Sequence, residues 1–345
     1  MDFNFDSLPN FDVKITHRNW QMALAEAFAL IVSASPGEVV CITGPSRAGK
    51  SKLISELRLL LCGKDMFHRT GKMPSVVAEA VNTGPNGSFS TKSFTLHMLN
   101  AVRHPMFSES VSDLEESLIY HKTDRSTETS LRIALERAFV VRGTKYLFID
   151  EAQHAKYTSK ASMGAYAVMD SWKCLAQTSK LVLVLVGAYP IVDILQNSPH
   201  MLGRKKQVHL PRYRPVSEDV EAFSEILASY DSILDLDGSV KSLTRFGDLI
   251  YEGTFGCIGL VRSWLSQASA IAKLEGSGIT KDILVRTKKP DTDLVSIREE
   301  IESGEEYFDS LDQNEAKVKR KSSRAKRKSR PFKRKPERIP PGNRI

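Results

Sequence analysis

Eight consecutive residues, Gly44, Pro45, Ser46, Arg47, Ala48, Gly49, Lys50 and Ser51, set two glycines, a lysine and a hydroxyl in the spacing G-x-x-x-x-G-K-S. Glycine at both ends lets the backbone wrap tightly enough for successive N–H groups to point inward at phosphate oxygens. Lys50 adds a point charge for the outer phosphates, and the Ser51 hydroxyl is a hard oxygen ligand for Mg²⁺. A second chemical group lies a hundred residues on, in KYLFIDEAQH (Lys145–His154), where an apolar run ends in Asp150 and Glu151. Carboxylates at the end of a buried run are costly unless a cation pairs with them. Asp150 is expected to hold the metal through water. Glu151 is expected to take a proton from an attacking water or to orient it. The two stretches together specify a site that binds ATP with Mg²⁺ and hydrolyses it.

Such a site needs a strand before the glycine loop and a helix after it. EVVCITG supplies the strand, with Val39, Val40, Cys41 and Ile42 apolar in succession, and Lys50–Leu61 has helical character. Upstream, Trp20, Ala23, Ala27, Phe28 and Ile31 recur at helical spacing until Pro36-Gly37. Ser75–Val81 reads as the next strand, and Asn82–Ser90 (NTGPNGSFS) as a loop. Phe94–Val102 and Thr129–Val141 read as helices, Lys145–Asp150 and Leu181–Gly187 as strands. Strands alternating with helices predict an α/β fold whose parallel sheet is flanked by helices. From Ser217 the periodicity is helical only. The expected organisation is an arm over 1–16, an α/β domain over 17–214, a small all-helical domain over 215–285, a charged helix or linker over 286–316, and a basic disordered tail over 317–345.

The 345 residues are 41% hydrophobic and 26% charged, ordinary for a globular protein. The formal charge of +8 is unevenly spread: from Lys317 onward there are 14 Lys and Arg against one acid, so the residues before it carry a net −5. Four scattered cysteines without a C-x-x-C pair argue against a disulfide framework or zinc site and fit a reducing cytoplasm. The longest apolar run, Leu181–Val186, is strand length, so no membrane span is expected, and MDFNFDSLPNFD lacks the pattern of a signal peptide.

The order of these pieces resembles AAA+ ATPases: glycine loop, Asp-Glu strand, a third strand LVLVLVG, a basic cluster at Arg204–Lys206, then helices. That resemblance implies a helical lid over the nucleotide and an arginine that reaches the next subunit's site. Arg204 is the first candidate for that arginine, with Arg212 and Arg214 competing, and Arg262 on a lid helix would sense the γ-phosphate. A closer similarity, over residues 15–285, is to the TniB/TnsC group of transposition regulators, relatives of the MuB ATPase. GPSRAGKS, FIDEAQH, LVGAYPIVDIL, RKKQVHLPRY and TFGCIGLVRSWLSQASAIA carry it. The group's Gly-Thr after the third strand is Gly187-Ala188-Tyr189 here, which puts side-chain sensor chemistry at Ala188 in doubt and leaves Tyr189 or a backbone group as substitutes. The resemblance implies rings or helical filaments on duplex DNA that link a target-selection factor to transposase subunits. Lys92 and Arg103, flanking one helix, and Lys122 and Arg125, in HKTDRSTET, are the candidate phosphate contacts. PFKRKPERIPPGNRI at the end of the tail reads as a docking peptide. Two other classes remain open: an AAA+ loader or remodeller acting on a DNA-associated protein complex, and a small-molecule kinase, against which Glu151 and the helical lid argue.

Overall fold

Val39–Thr43 (β1) is buried at every position. An unbroken apolar strand is stable only with partners on both edges and cover on both faces. In the computed structural model, which describes residues 15–84, 87–108, 126–158, 163–196 and 205–324, β1 has both. It pairs in parallel with Val182–Gly187 (β4) on one side and Lys205–His209 (β5) on the other. Tyr146–Asp150 (β3) pairs with β4, and Ser75–Glu79 (β2) with β3, so the five parallel strands run in the order β2-β3-β4-β1-β5. The carboxyl ends Thr43, Glu79, Asp150, Gly187 and His209 therefore line one edge, where open α/β sheets bind ligands.

Arg18–Val32 (α1) and Lys50–Cys62 (α2) cover one face. Trp20, Ala27 and Ile31 join Leu53, Leu57 and the strand residues Val40, Ile42 and Val184 in one cluster. A short turn, Phe67–Thr70 (α3), leads into β2. Thr91–Ala101 (α4) and Glu128–Arg142 (α5) pack together, with Phe94, Leu99, Leu131 and Leu135 buried. Met163–Thr178 (α6) precedes β4 and Pro190–Gln196 (α7) follows it. The expected strands and helices are present, with ends shifted by a few residues, as fraying termini allow.

Ser217–Asp231 (α8), Gly247–Thr254 (α9), Ile258–Leu274 (α10) and Lys281–Thr287 (α11) share a separate apolar cluster around Phe223, Leu227, Trp264, Leu265 and Ile283. The indole N–H of Trp264 donates to Thr287 Oγ1 (2.9 Å), tying α10 to the end of α11. Arg212 joins the segment after β5 to these helices, donating to the Tyr251 hydroxyl and the Phe255 carbonyl, both at 3.0 Å.

Asp291–Arg324 (α12) is one helix. Leu294, Ile297 and Ile301 seat its first turns on Phe255, Cys257 and Leu260, and the Arg298 guanidinium lies 4.9 Å from the Phe255 ring centre. The first compact unit ends at Ile301; the second begins at Glu302. The helix runs as far as Arg324, eight residues into the basic tail expected from Lys317, where Lys and Arg are good helix formers. The rest of the tail and residues 1–14 of the arm lie outside the described residues. Among the described residues no helix is long and apolar enough to cross a membrane.

Candidate nucleotide site

The loop from Gly44 to Gly49 leaves β1 where it passes β5. A Cβ on Gly44 would lie 2.4 Å from the Leu210 carbonyl oxygen, so only glycine fits. Gly49 takes φ +94°, the left-handed conformation that turns the chain into α2. Lys50, 6% exposed, donates from Nζ to the Gly44 and Pro45 carbonyls (3.1 and 2.8 Å). Burial lowers its pKa from the usual lysine value, and the charges of Glu151, Glu300 and Asp150 oppose that shift. The Ser51 hydroxyl donates to Asp150 Oδ2 at 2.7 Å, and the Glu151 N–H donates to Asp150 Oδ1 at 2.9 Å. Burial pushes the Asp150 pKa up, while those two hydrogen bonds pull it down. Ser51 and Asp150 thus meet as expected. Their two hard oxygens suit Mg²⁺, and among the described residues no His/Cys/Asp/Glu cluster competes for a metal.

Glu151 takes φ +51° and opens a 3₁₀ turn, Ala152–Tyr157. The Gln153 side chain lies across the end of β4. Its Nε2 donates to the Glu151 carboxylate through a short hydrogen bond, and its Oε1 accepts the Ala188 N–H at 3.0 Å. The polar group at the end of β4 is therefore a backbone amide, and Tyr189 turns away to meet His209 Nε2 with its hydroxyl (3.0 Å). His154 bonds through Nδ1 to the Ala80 carbonyl (2.6 Å), and the Ala80 N–H donates to the Asp150 carbonyl, so the end of β2 is fastened to the acidic turn.

Lys50, Ser51, Glu151 and Arg262 border a cleft of about 690 Å³. A smaller pocket of about 120 Å³ beside it is lined by Ile15, His17, Trp20, Tyr230 and Ile258, and Arg262 borders both. Burial drives the His17 pKa down to about 4 and the Tyr230 pKa up to about 12, the latter against the nearby Arg262 charge. His17 Nδ1 caps α1 by accepting the Trp20 N–H (3.4 Å), so it also accepts the Tyr213 hydroxyl proton (3.0 Å). At the start of α10 the Gly259 N–H donates to the Arg47 carbonyl at 2.9 Å, and a Cβ on Gly259 would lie 2.0 Å from that oxygen. Three residues earlier, the Gly256 carbonyl accepts the Tyr213 N–H (3.1 Å). From the start of α12, Glu300 Oε1 accepts from both the N–H and the hydroxyl of Ser46 (3.3 and 2.9 Å).

Of the residues singled out in the sequence, Arg47, Gly49, Lys50, Ser51, Glu151 and Arg262 border one cleft, and Asp150 adjoins it through Ser51. Arg204 lies outside the described residues, as do Lys122 and Arg125. Arg212 is engaged within the chain, as above. Lys92 and Arg103 are not brought together: Lys92 lies in the first turn of α4 and Arg103 two residues past its end, and the helix's eleven residues span about 16 Å. The Arg103 guanidinium stacks 4.5 Å from the Phe67 ring centre and meets His68 Nε2 (3.3 Å). Sequence reading missed Gln153, the pocket beside the cleft and Glu300; an isolated Gln, His or Glu carries no spacing signal.

Residues 34–195 match the family model described as AAA domain. No curated protein matches the chain. Among solved structures, the CDC6P of Pyrobaculum aerophilum is similar at 15% identity and a TM-score of 0.52, covering 82% of this chain and 69% of that one. The Aeropyrum pernix ORC2 protein in its ADPNP-ADP complexes is similar at 15% identity and a TM-score of 0.51, covering 82% and 70%. Over residues 34–195 the chain is similar to AAA domains, and its five-stranded parallel sheet flanked by helices is the AAA+ P-loop NTPase fold.

Proposed function

We propose that this protein binds and hydrolyses ATP, and that it uses the nucleotide state to assemble on duplex DNA as a transposition regulator of the TniB/TnsC type. One observation carries the hydrolytic reading: Ser51 and Asp150 meet at 2.7 Å, next to buried Lys50, with Glu151 bordering the same cleft. Lys50 leaves its two carbonyl partners to hold the outer phosphates, and Arg262 faces the nucleotide from the lid. Ser51 and Asp150 are the residues that would hold Mg²⁺, which when bound supplies positive charge to the outer phosphates. Glu151 orients the attacking water and takes its proton. The small pocket between His17 and Tyr230, next to the loop, suits the base.

The DNA and transposition part of the reading is supported by the FIDEAQH, LVGAYPIVDIL and GCIG stretches and by the basic tail. Its test is imaging of the purified protein with duplex DNA and a non-hydrolysable ATP analogue, beside Lys50→Ala. Regular oligomers on DNA that need nucleotide and vanish in Lys50→Ala are expected. Wild-type nucleotide affinity in Lys50→Ala overturns the site. Nucleotide binding without assembly on DNA leaves an ATPase of another role. Stimulation by a protein partner without DNA points to a loader or remodeller.

A further inference from the structure

We infer that Gln153 is the positioning residue for Glu151, and that it does the work which the missing polar side chain at Ala188 leaves undone. The inference deepens the hydrolytic reading and rests on it. The observation is the two-ended contact of one amide: Nε2 donates to Glu151 Oε2, and Oε1 accepts from the Ala188 N–H.

The chemistry of the two neighbours dictates the residue. A backbone N–H can only donate, so the group facing Ala188 must accept. An ionised carboxylate can only accept, so the group facing Glu151 must donate. A carboxamide satisfies both at once. A glutamate in the same place cannot donate to Glu151, and an apolar side chain serves neither partner. The space is matched as well, because a Cβ on Gly187 would stand 2.5 Å from Gln153 Oε1. Glu151 needs such a hold. Its backbone sits at φ +51° at the start of a 3₁₀ turn, and a glutamate side chain left alone spreads over several rotamers. Gln153 holds Oε2 and leaves Oε1 for water. Because its other end is fixed to β4, movement of that strand end is transmitted to the carboxylate, which is what a sensor at this place would do.

Gln153 acts through Glu151, so the test separates turnover from binding and asks whether the two losses are coupled. Gln153→Ala should lower kcat about 10- to 100-fold and leave the Kd for ADP and an ATP analogue within about twofold of wild type. Gln153→Glu, equal in size, should be impaired at least as much. Glu151→Gln combined with Gln153→Ala should be no slower than Glu151→Gln alone, since nothing remains to position. A Gln153→Glu protein with wild-type kcat overturns the inference, as does a double variant slower by the full Gln153→Ala factor. Normal turnover by Glu151→Gln instead refutes the hydrolytic role of Glu151 itself. A readout that needs no turnover is the side-chain amide resonance of Gln153 in nucleotide-free protein. It should shift on Glu151→Ala, and an unmoved resonance refutes the contact.

Discussion

Gly259→Ala tests the coupling between α10 and the phosphate loop. The new Cβ would lie 2.0 Å from the Arg47 carbonyl oxygen, whereas an ordinary contact is 3.4 Å or more, so the start of α10 must retreat by about 1.4 Å. The Gly259 N–H to Arg47 hydrogen bond, now 2.9 Å, would then open beyond about 4 Å and be lost. Losing one such bond costs about 1 kcal/mol. Alanine in place of glycine at a helical position returns about 0.5–1 kcal/mol. The clash is with backbone, and α10 carries the buried Val261, Trp264 and Leu265 with it, so the shift adds an overpacking cost of about 1–3 kcal/mol and Tm should fall accordingly. Nucleotide affinity should fall as well, because Arg262 lies one turn along the same helix and retreats with it. A lost charge-assisted contact to a phosphate is worth about 1.5–3 kcal/mol, or roughly a 10- to 100-fold weaker Kd. Calorimetric titration with an ATP analogue reads this directly. Gly247→Ala is the control, since its Cβ would meet nothing within 4 Å. Wild-type affinity in Gly259→Ala would refute the idea that the lid is set by this backbone contact.

Three further outcomes follow from the geometry. His17 falls from an ordinary 6.5 to about 4 on folding. The unfolded chain thus takes the proton first, and His17's contribution to stability is whole above about pH 6.5 and is lost as pH falls toward 4. Urea titrations should lose about 2 kcal/mol from this group between pH 7.5 and 5; His17→Asn, which keeps a capping side chain, should lack that dependence, and equal slopes in both proteins would contradict it. Glu300→Gln removes a carboxylate from Ser46 on an exposed face, so nucleotide should bind about 3- to 10-fold tighter; unchanged or weaker binding in the same titration would show that Glu300 does not compete with phosphate. If Arg204 completes a neighbour's site, Arg204→Ala should lose DNA-stimulated turnover while still binding nucleotide, and mixing it with Lys50→Ala should restore part of the rate; co-assembly without recovery argues against a role in trans.

The glycine loop and the acidic strand end were legible in the sequence because their chemistry is local: Gly44 to Ser51 and Asp150-Glu151 are contiguous, and each follows an apolar run. The alternation that gives the parallel sheet was legible for the same reason. Gln153 was not, although it belongs to FIDEAQH, because its role exists only where the turn after β3 lies beside the end of β4, 35 residues away. Glu300 meets Ser46 across 254 residues, a separation no periodicity marks. His17 reads in sequence as an ordinary polar residue before a helix, and only its burial against Tyr213 gives it a depressed pKa.

The placement of β1 at the middle of the sheet has a consequence in time. Its partner residues Val39 and Leu183 are 144 positions apart, and its other neighbour, β5, begins only at Lys205. At about 5–20 residues per second, a ribosome releases β1 roughly 7 to 29 s before β4 can pair with it. Through that interval α1 and α2 can shield one side of the strand, through Trp20, Ala27, Leu53 and Leu57, while its other side and both edges stay open. The most apolar segment made early in synthesis thus waits longest for its permanent neighbours. This interval is when a chaperone has the most to protect.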